Sequence, residues 1–457
     1  MGVDDTDSLA GMCTTYLVSE IVGEFNDLDL IGCPRLVRLN PNIPWKTRGN
    51  GAICVRLGRG GGKRSLIGEI SGTSVFAFER ELPSFFPEDA ADRLSRILES
   101  NAHFHEEKTN PGFAILRRKP SPSLYWKAVR GIVSLSEVEK EVSCLGVVRK
   151  YKNGRGLIGA CAAISWVPRD RTYEIITYRK PSRWGSPRRI SVESVKRMDR
   201  ETNHTFNNCD YLNERVALAP NSPCPVLYGI RGDDPDELLD GMRMIDSEAI
   251  DRWNLFLTNQ GTDDHLVGKS ISDVGDYESV ILRGRVSREP NNLAGGHVVF
   301  EIEDMKGKIE CTAYEPTKQF RSVVRSLRVG DELRVFGSVR DTPKTINLEK
   351  IEILRLEKKS RKMSNPICPE CGKSMKSAGK GSGYRCRECH TKAAENEARV
   401  VEVEREIELG FYEPPVCARR HLSKPLSRMK VKVNDLTWIS TLKKPLLCSS
   451  QLCQGRH

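Results

Sequence analysis

The sequence has no long apolar run. No window approaches the ~20 consecutive apolar residues that a membrane-spanning helix needs, which excludes a helical membrane protein. The first residues are acidic, with no basic stretch ahead of an apolar core, so a secretory signal is missing as well. An even-numbered cysteine set is also absent. The fifteen cysteines are scattered through 457 residues, which argues against a disulfide framework and for a reducing, cytoplasmic compartment. Several domains are expected at this length, because single cores seldom grow beyond about 250–300 residues. The formal charge of +11 fits a polyanionic partner without demonstrating one.

What is present begins at once. Asp4, Asp5 and Asp7 fall within four positions, and Thr14 and Thr15 follow at the head of an apolar run. Carboxylates this close repel one another, and a fold that keeps them ionised supplies a cation. Oxygen ligands beside a hydroxyl suit magnesium carrying nucleotide phosphates. An acidic turn that caps a helix is the competing reading, since Asp, Ser and Thr are favoured caps. Only residues 1–3 precede the turn, so the strand feeding it is either very short or begins upstream.

Farther on, residues 45–51 place Lys46 and Arg48 beside Gly49, Asn50 and Gly51, a pattern that lets backbone N–H groups approach an anion. Residues 58–63 mimic a Walker loop, but Arg64 stands where Ser or Thr should follow the lysine; the stretch reads as a flexible surface turn. Residues 88–100 read as an amphipathic helix, and 106–112 as a charged turn before a short strand at 113–116. Residues 154–159 match GxGxxG. No acidic residue lies ~20 positions on to hold a ribose, so the match does not point to NAD. A glycine turn entering a small-residue helix still suits a phosphate contact.

Residues 173–179, 192–202, 216–219, 226–230, 234–244 and 253–259 read in the order β-α-β-β-α-β, the ferredoxin-like arrangement. From residue 277, three strands (280–288, 297–303, 308–314), a helix (316–327) and two strands (332–340, 345–354) follow the order of an OB-fold. Arg283, Arg285, Arg288, Arg334 and Arg340 with Phe300 and Tyr314 give these strands a nucleic-acid-binding character. Residues 357–362 read as a basic linker. Cys368 and Cys371, then fourteen residues, then Cys386 and Cys389 form two CxxC knuckles. That spacing is the signature of a structural zinc ribbon: four thiolates fill a tetrahedral ion and leave no open position for chemistry. His390 is surplus to the set. Residues 394–409 are heavily charged and read as a helix. Cys448, Cys453 and His457 have poor ligand spacing, and no site is assigned to them.

Five stretches occur together and in order: GVDDTDS at 2–8, MCTTYL at 12–17, PRLVRLNPNIPWKTRGNG at 34–51, EKTNPG at 107–112 and NGRGLIG at 153–159. With the modules above, they make the chain resemble the archaeal tRNA(Ile) 2-agmatinylcytidine synthetase family from residue 1 to about residue 400. The glycine-rich insertion near Gly60 and the tail beyond Gly410 depart from that pattern. The resemblance implies an α+β multidomain architecture: a kinase-like α/β catalytic domain (1–170), a ferredoxin-like domain (171–265), an OB-fold β-barrel (276–357) and a zinc ribbon (364–394). A charged helix and unassigned tail (395–457) complete it.

The implied reaction is ATP-dependent ligation of agmatine to C2 of the wobble cytidine in isoleucine tRNA with the CAU anticodon, so that the tRNA reads AUA. In the family a threonine matching Thr14 is phosphorylated. The implied catalytic set is Asp4, Asp5, Asp7 and Thr14, with ATP, magnesium and a structural zinc as cofactors. Arg48, Asn50, Gly51, Lys108, Asn110, Gly154 and Gly156 are the implied ATP contacts. Asp210 is the candidate for agmatine's guanidinium, and Cys368, Cys371, Cys386 and Cys389 for the zinc. The implied partners are that tRNA and agmatine, with no membrane and no obligate protein partner. A non-catalytic single-strand-binding protein built on the OB and zinc modules is the competing reading. The intact Asp triplet and Thr14 favour the enzyme.

Overall fold

The computed structural model describes residues 1–83, 86–342, 344–379 and 381–429, so Cys448, Cys453 and His457 lie outside the described residues. The chain opens with β1 (Gly2–Asp4), α1 (Leu17–Glu24), β2 (Asp29–Ile31), β3 (Arg35–Arg38) and β4 (Gly51–Cys54), then a long hairpin, β5 (Leu57–Ile70) and β6 (Thr73–Leu82). There follow α2 (Ala90–Asn101), β7 (Gly112–Leu116), α3 (Pro122–Arg130), α4 (Leu135–Val142), β8 (Gly146–Lys150) and α5 (Gly156–Ser165). The short β1 is a central strand, paired antiparallel with β4 on one side and β7 on the other. The small-residue helix α5 is buried nearly all round and lies across β1 so closely that a Cβ on Gly2 would fall 2.3 Å from the Ala160 carbonyl oxygen.

Residues 58–63 are not a surface turn but part of β5. The glycines are needed there because side chains of β6 lie over them: a Cβ on Gly60 would sit 2.3 Å from Phe78 Cγ, and one on Gly61 2.9 Å from Leu82 Cγ. A register shift between Gly61 and Arg64 marks a bulge, where interior glycine is at home.

The second module is β9 (Thr172–Arg179), α6 (Val192–Glu201), β10 (Thr205–Phe206), the hairpin β11 (Cys209–Asp210)–β12 (Arg215–Val216), β13 (Val226–Gly232), α7 (Pro235–Met244) and β14 (Ile250–Thr258). Ser191 caps α6 by accepting from Ser194 N, and Asp234 caps α7 ahead of Pro235. The antiparallel strand order β10-β13-β9-β14 is ferredoxin-like. Its second strand is Thr205–Phe206 rather than residues 216–219, which belong to the small hairpin and the loop beyond it. β14 also pairs parallel with β3, so both modules share one twelve-stranded sheet.

After β15 (Leu266–Gly268) come β16 (Ser279–Asn292), β17 (Val298–Glu303), β18 (Lys308–Ala313), α8 (Phe320–Arg325), β19 (Glu332–Arg340) and β20 (Thr345–Arg355). The pairings β16-β17-β18-β20-β19-β16 close an OB barrel. The helix expected at 316–327 divides into a 3-10 turn, Glu315–Thr317, and α8.

Two further expectations are overturned beyond the barrel. The basic linker is a strand, β21 (Lys359–Ser364), and the charged helix is a 3-10 turn followed by another strand. Between them lie the short ribbon strands β22 (Lys376–Ser377), β23 (Tyr384–Arg385) and β24 (Lys392–Ala393), and then β25 (Arg399–Val403) pairs antiparallel with β21. Val400, Val401 and Val403 favour extended backbone, and that preference outweighs the charge pattern. β26 (Gly410–Tyr412) then adds to β20 at the barrel, and residues 413–429 return as a strap to the large sheet.

The strap is bonded into the fold. Gly261 N donates to the His421 carbonyl (2.8 Å) and Asp263 N to that of Leu422 (2.9 Å). Leu422 is buried in one core with Val37, Tyr125 and Trp166. Leu422→Ala is expected to destabilise the chain by about 2–5 kcal/mol, read as a lowered urea midpoint with an unchanged slope.

Candidate active site and nucleic-acid interface

Asp4 ends β1, and Asp5 turns the chain with φ of 56°. The turn is held from below: Asn110 N donates to the Asp5 carbonyl (3.2 Å) and Thr109 Oγ1 to the Asp7 carbonyl (2.8 Å). Glu106 accepts from Leu9 N and Ala10 N at 2.8 and 3.0 Å. Asp7 is the hub. Its Oδ1 accepts from Thr14 N (2.6 Å) and Thr14 Oγ1 (3.0 Å), and Arg48 pairs with it at 3.0 Å. Thr6 Oγ1 donates to Thr14 Oγ1 at 2.9 Å. Arg155 reaches Asp5 Oδ2 at 3.8 Å.

The other two carboxylates are costly to ionise. Burial raises Asp4 to about 7, with the charge of Asp7 adding to it. Burial followed by repulsion from Asp4 raises Asp5 to about 8, against the pull of Arg155. Gly159 of α5 leaves room for Asp4, since a Cβ there would fall 1.7 Å from Asp4 Oδ2.

Two cavities meet at this centre. One, of about 270 Å³, is lined by Asp4, Asp5, Asp7 and Thr14, by the cations Lys46, Arg48 and Arg155, and by the apolar side chains of Leu39, Ile43, Trp45, Ile132 and Val133. Burial lowers Lys46 to about 8, and Arg420 adds to the shift. The second cavity, of about 440 Å³, lies toward the ferredoxin-like module, between Arg38, Glu174, Arg231, residues 215–222 and the strap residues Cys417, Arg419 and His421. Asp7, Thr14, Arg48 and Gly51 border both.

Asp4, Asp5, Asp7, Thr14, Arg48, Asn50 and Gly51 are therefore brought together. Lys108, Asn110, Gly154 and Gly156 line neither cavity. Gly156 N is bound to the Asn110 carbonyl (3.0 Å), tying the start of α5 to the turn before β7, and Gly154 N closes a local turn on the Tyr151 carbonyl (2.9 Å). Asp210 is drawn back from the second cavity, its carboxylate held by Asn213 Nδ2 (2.9 and 3.0 Å) and Cys417 N (3.4 Å). The sequence reading missed Arg38, Glu174, Arg231 and the strap. Of these only Arg38 stands in a recognised motif, and nothing local marks the others.

The four thiols Cys368, Cys371, Cys386 and Cys389 converge, with every pair of sulfurs within 4.8 Å. Amides of Cys371 and Glu370 point at the Cys368 sulfur, and those of Cys389 and Glu388 at Cys386, drawing both thiols down toward thiolate. This donor set fits tetrahedral zinc.

On the OB barrel, the expected basic and aromatic surface is smaller than the sequence implies. Phe300 points inward and is fully buried. Arg283, Arg285, Arg288 and Arg334 are paired with Glu332, Glu303, Glu310 and Glu352. What remains is a patch in which Arg340 lies 4.8 Å over the Tyr314 ring and His297 packs edge-on against Tyr314. No helix among the described residues is long and apolar enough to cross a membrane.

An acidic, cavity-flanked hydroxyl joined in one chain to an OB barrel and a thiolate-held ribbon defines a nucleic-acid-directed enzyme of the nucleotide-dependent kind. Sequence comparison makes the assignment specific. Residues 1–154 match the TiaS TCKD domain, 154–265 the TiaS FLD domain, 280–354 an OB-fold nucleic acid binding domain and 365–407 the TiaS C-terminal zinc ribbon domain. The isoleucine-tRNA 2-agmatinylcytidine synthetase TiaS of Methanocaldococcus jannaschii is 42% identical, over 93% of this chain and 97% of its own. That of Archaeoglobus fulgidus is 42% identical, over 94% and 98%. The solved complex of TiaS with its isoleucine tRNA and ATP superposes with a TM-score of 0.80 at 42% identity, covering 94% of this chain and 97% of its own. The complex of TiaS with the same tRNA, AMPCPP and agmatine gives 0.78 at 39%, with the same coverage. The chain belongs to the TiaS family.

Elemental analysis of the purified protein is expected to find one zinc per chain, lost in Cys371→Ser; protein without zinc overturns the ribbon assignment.

Proposed function

We propose that this chain joins agmatine to C2 of the wobble cytidine in isoleucine tRNA with the CAU anticodon, at the expense of ATP, in the cytoplasm. The observation that carries the reading is the position of Thr14, whose hydroxyl stands on the wall between a nucleotide-shaped cavity and a second cavity large enough for a base and an amine.

The apolar lining of the first cavity suits adenine, with Trp45 and Ile132 as its faces. Arg48 and Arg155, beside Asp7 and Asp5, are there to meet the phosphates. Asp4, Asp5 and Asp7 present hard oxygen donors suited to magnesium, which when bound neutralises phosphate charge and orients the transferred group. Asp7 Oδ1, the acceptor of the Thr14 hydroxyl, is placed to take its proton as that oxygen bonds to phosphorus.

Cytosine's C2 oxygen is a poor leaving group until it takes the phosphoryl group, the Thr14 O–P bond breaking as the new bond forms; the agmatine amine then attacks C2, and phosphate departs with the former C2 oxygen. The target base must leave the anticodon loop to enter the second cavity. Agmatine's guanidinium is best met there by the carbonyl oxygens of the 215–222 loop, since both Glu174 oxygens are taken by Arg231 and Gln260. Asp210 serves the wall, holding Cys417 in place. His297, Tyr314 and Arg340 on the barrel, with the zinc ribbon, grip the tRNA elsewhere.

Incubated with ATP, agmatine and the CAU-anticodon transcript, the chain is expected to add an agmatine mass to that transcript, and Thr14→Val to abolish the product. Tight binding without an adduct favours the binding-module reading instead. Protons compete with the cation at Asp4 and Asp5, so the magnesium concentration giving half-maximal turnover is expected to fall between pH 6 and 8, by up to about tenfold for each proton displaced per pH unit. A magnesium requirement that does not change with pH removes these carboxylates from the metal site.

A further inference from the structure

The arginines around the two cavities have partners, with one exception. Arg48 pairs with Asp7, Arg155 with Asp5, Arg231 with Glu174 and Arg419 with Glu413. Among the described residues, Arg38 makes no ion pair and no side-chain hydrogen bond, and its Nε is buried without a partner. Its position is nevertheless built for it. Arg38 lies opposite Gly51 on the neighbouring strand, and a Cβ on Gly49 or Gly51 would fall 2.8 or 3.0 Å from Arg38 Nη1. The glycines of the Arg-Gly-Asn-Gly turn thus make room for a guanidinium, where the sequence reading saw an anion cradle. His421 of the strap lies against the same turn, and desolvation with the charges of Arg38 and Arg231 pushes its pKa down. It supplies no counter-charge.

Glu174 and Asp7 act on Arg38 through space without pairing with it, and a guanidinium with no direct partner in a partly buried wall is costly unless an anion meets it. Arg38 borders the second cavity, on the side of Thr14 away from the nucleotide slot. Agmatine is a cation and cytosine is neutral, so neither supplies the charge. We infer that Arg38 binds the phosphoryl group after it has left ATP, on the acceptor side of Thr14.

This rests on the ligase reading above. In the transfer, the bond from phosphorus to the nucleotide oxygen breaks, leaving its electrons with the nucleotide, and an acceptor oxygen supplies the pair for the new bond. When the amine nitrogen attacks C2, the C2–O bond breaks and its electrons leave with phosphate, which takes up the amine's proton. Arg38 offsets the charge that gathers on those departing oxygens, and its planar fork suits two of them at once.

The test uses the full chain, the CAU-anticodon transcript, ATP and agmatine, with product counted by mass spectrometry and ATP-analogue binding measured separately. Arg38→Gln is expected to lower kcat by about 100-fold or more, with transcript KM, analogue affinity and melting temperature undiminished. Arg38→Lys should restore part of the rate. A loss confined to transcript KM with a weaker salt dependence assigns Arg38 to a backbone phosphodiester and overturns the inference. So does a loss confined to analogue binding, or full activity of Arg38→Gln beside an active wild type. A wild type that forms no adduct overturns the ligase reading itself, and this inference with it.

Discussion

Confinement of three carboxylates at the end of one buried strand is the constraint on which the rest of this structure depends. β1 can place Asp4 beside Asp5 and Asp7 only because backbones approach it at glycine distance. Gly2 meets Ala160, Gly156 meets Gly112 and the Asp4 carbonyl, and Gly159 meets the Asp4 carboxylate. Burial then makes ionisation costly, so cations come from separate parts of the chain: Arg48 from the loop before β4 and Arg155 from the start of α5. Sheet, helix and loop are each shaped by the charge they must hold. Asp7 is the point where charge and reactivity join, since the carboxylate that Arg48 neutralises is also the one bonded to the Thr14 hydroxyl.

How much of this was legible depends on how local the signal was. The acidic turn, Thr14 and the cysteine knuckles sit within short spans of sequence, and the structure brings each set together. The OB strand order was readable because five runs of strand-forming residues and one helical stretch follow one another along the chain, although only β16 alternates between core and solvent over much of its length. Readings failed where local preference and tertiary context disagree. Residues 58–63 look like a turn until Phe78 and Leu82 are seen lying over the glycines. Thr205–Phe206 is too short to register as a strand, yet its pairing with β13 completes the ferredoxin-like sheet. Residues 399–403 carry charges in a helix-like density, but their valines pair with β21. Arg283, Arg285, Arg288 and Arg334 suggested a basic face because their glutamate partners lie on neighbouring strands, invisible along the chain.

The second cavity shows the limit most clearly. Its walls come from β3, β9, β13, the 215–222 loop and the strap, stretches separated by up to several hundred residues. No motif joins them. The strap in particular carries scattered prolines and basic residues, the composition of a tail, and its meaning appears only when Leu422 is found in the core and His421 at the cavity.

The strap also fixes how far the OB barrel stands from the Thr14 centre. Lys350 of β20 is fully buried, bonded at 2.7 Å both to Asp263 and to the Lys424 carbonyl. Beside it, His265 meets Glu349 at 2.9 Å and Arg420 reaches Glu349 at 3.5 Å. Burial works to raise Glu349, but the neighbouring charges of His265 and Arg420 hold it at about 2. An apolar seam between barrel and sheet would be at least as stable, because buried charges lose hydration that packing does not. It would also tolerate sliding. A buried charge is satisfied in one geometry only, and this seam has two such sets, with strap residues in both. The barrel patch at Tyr314 therefore stands at a fixed distance from Thr14. What the buried charges give in place of added stability is one fixed span between the OB surface and the Thr14 centre.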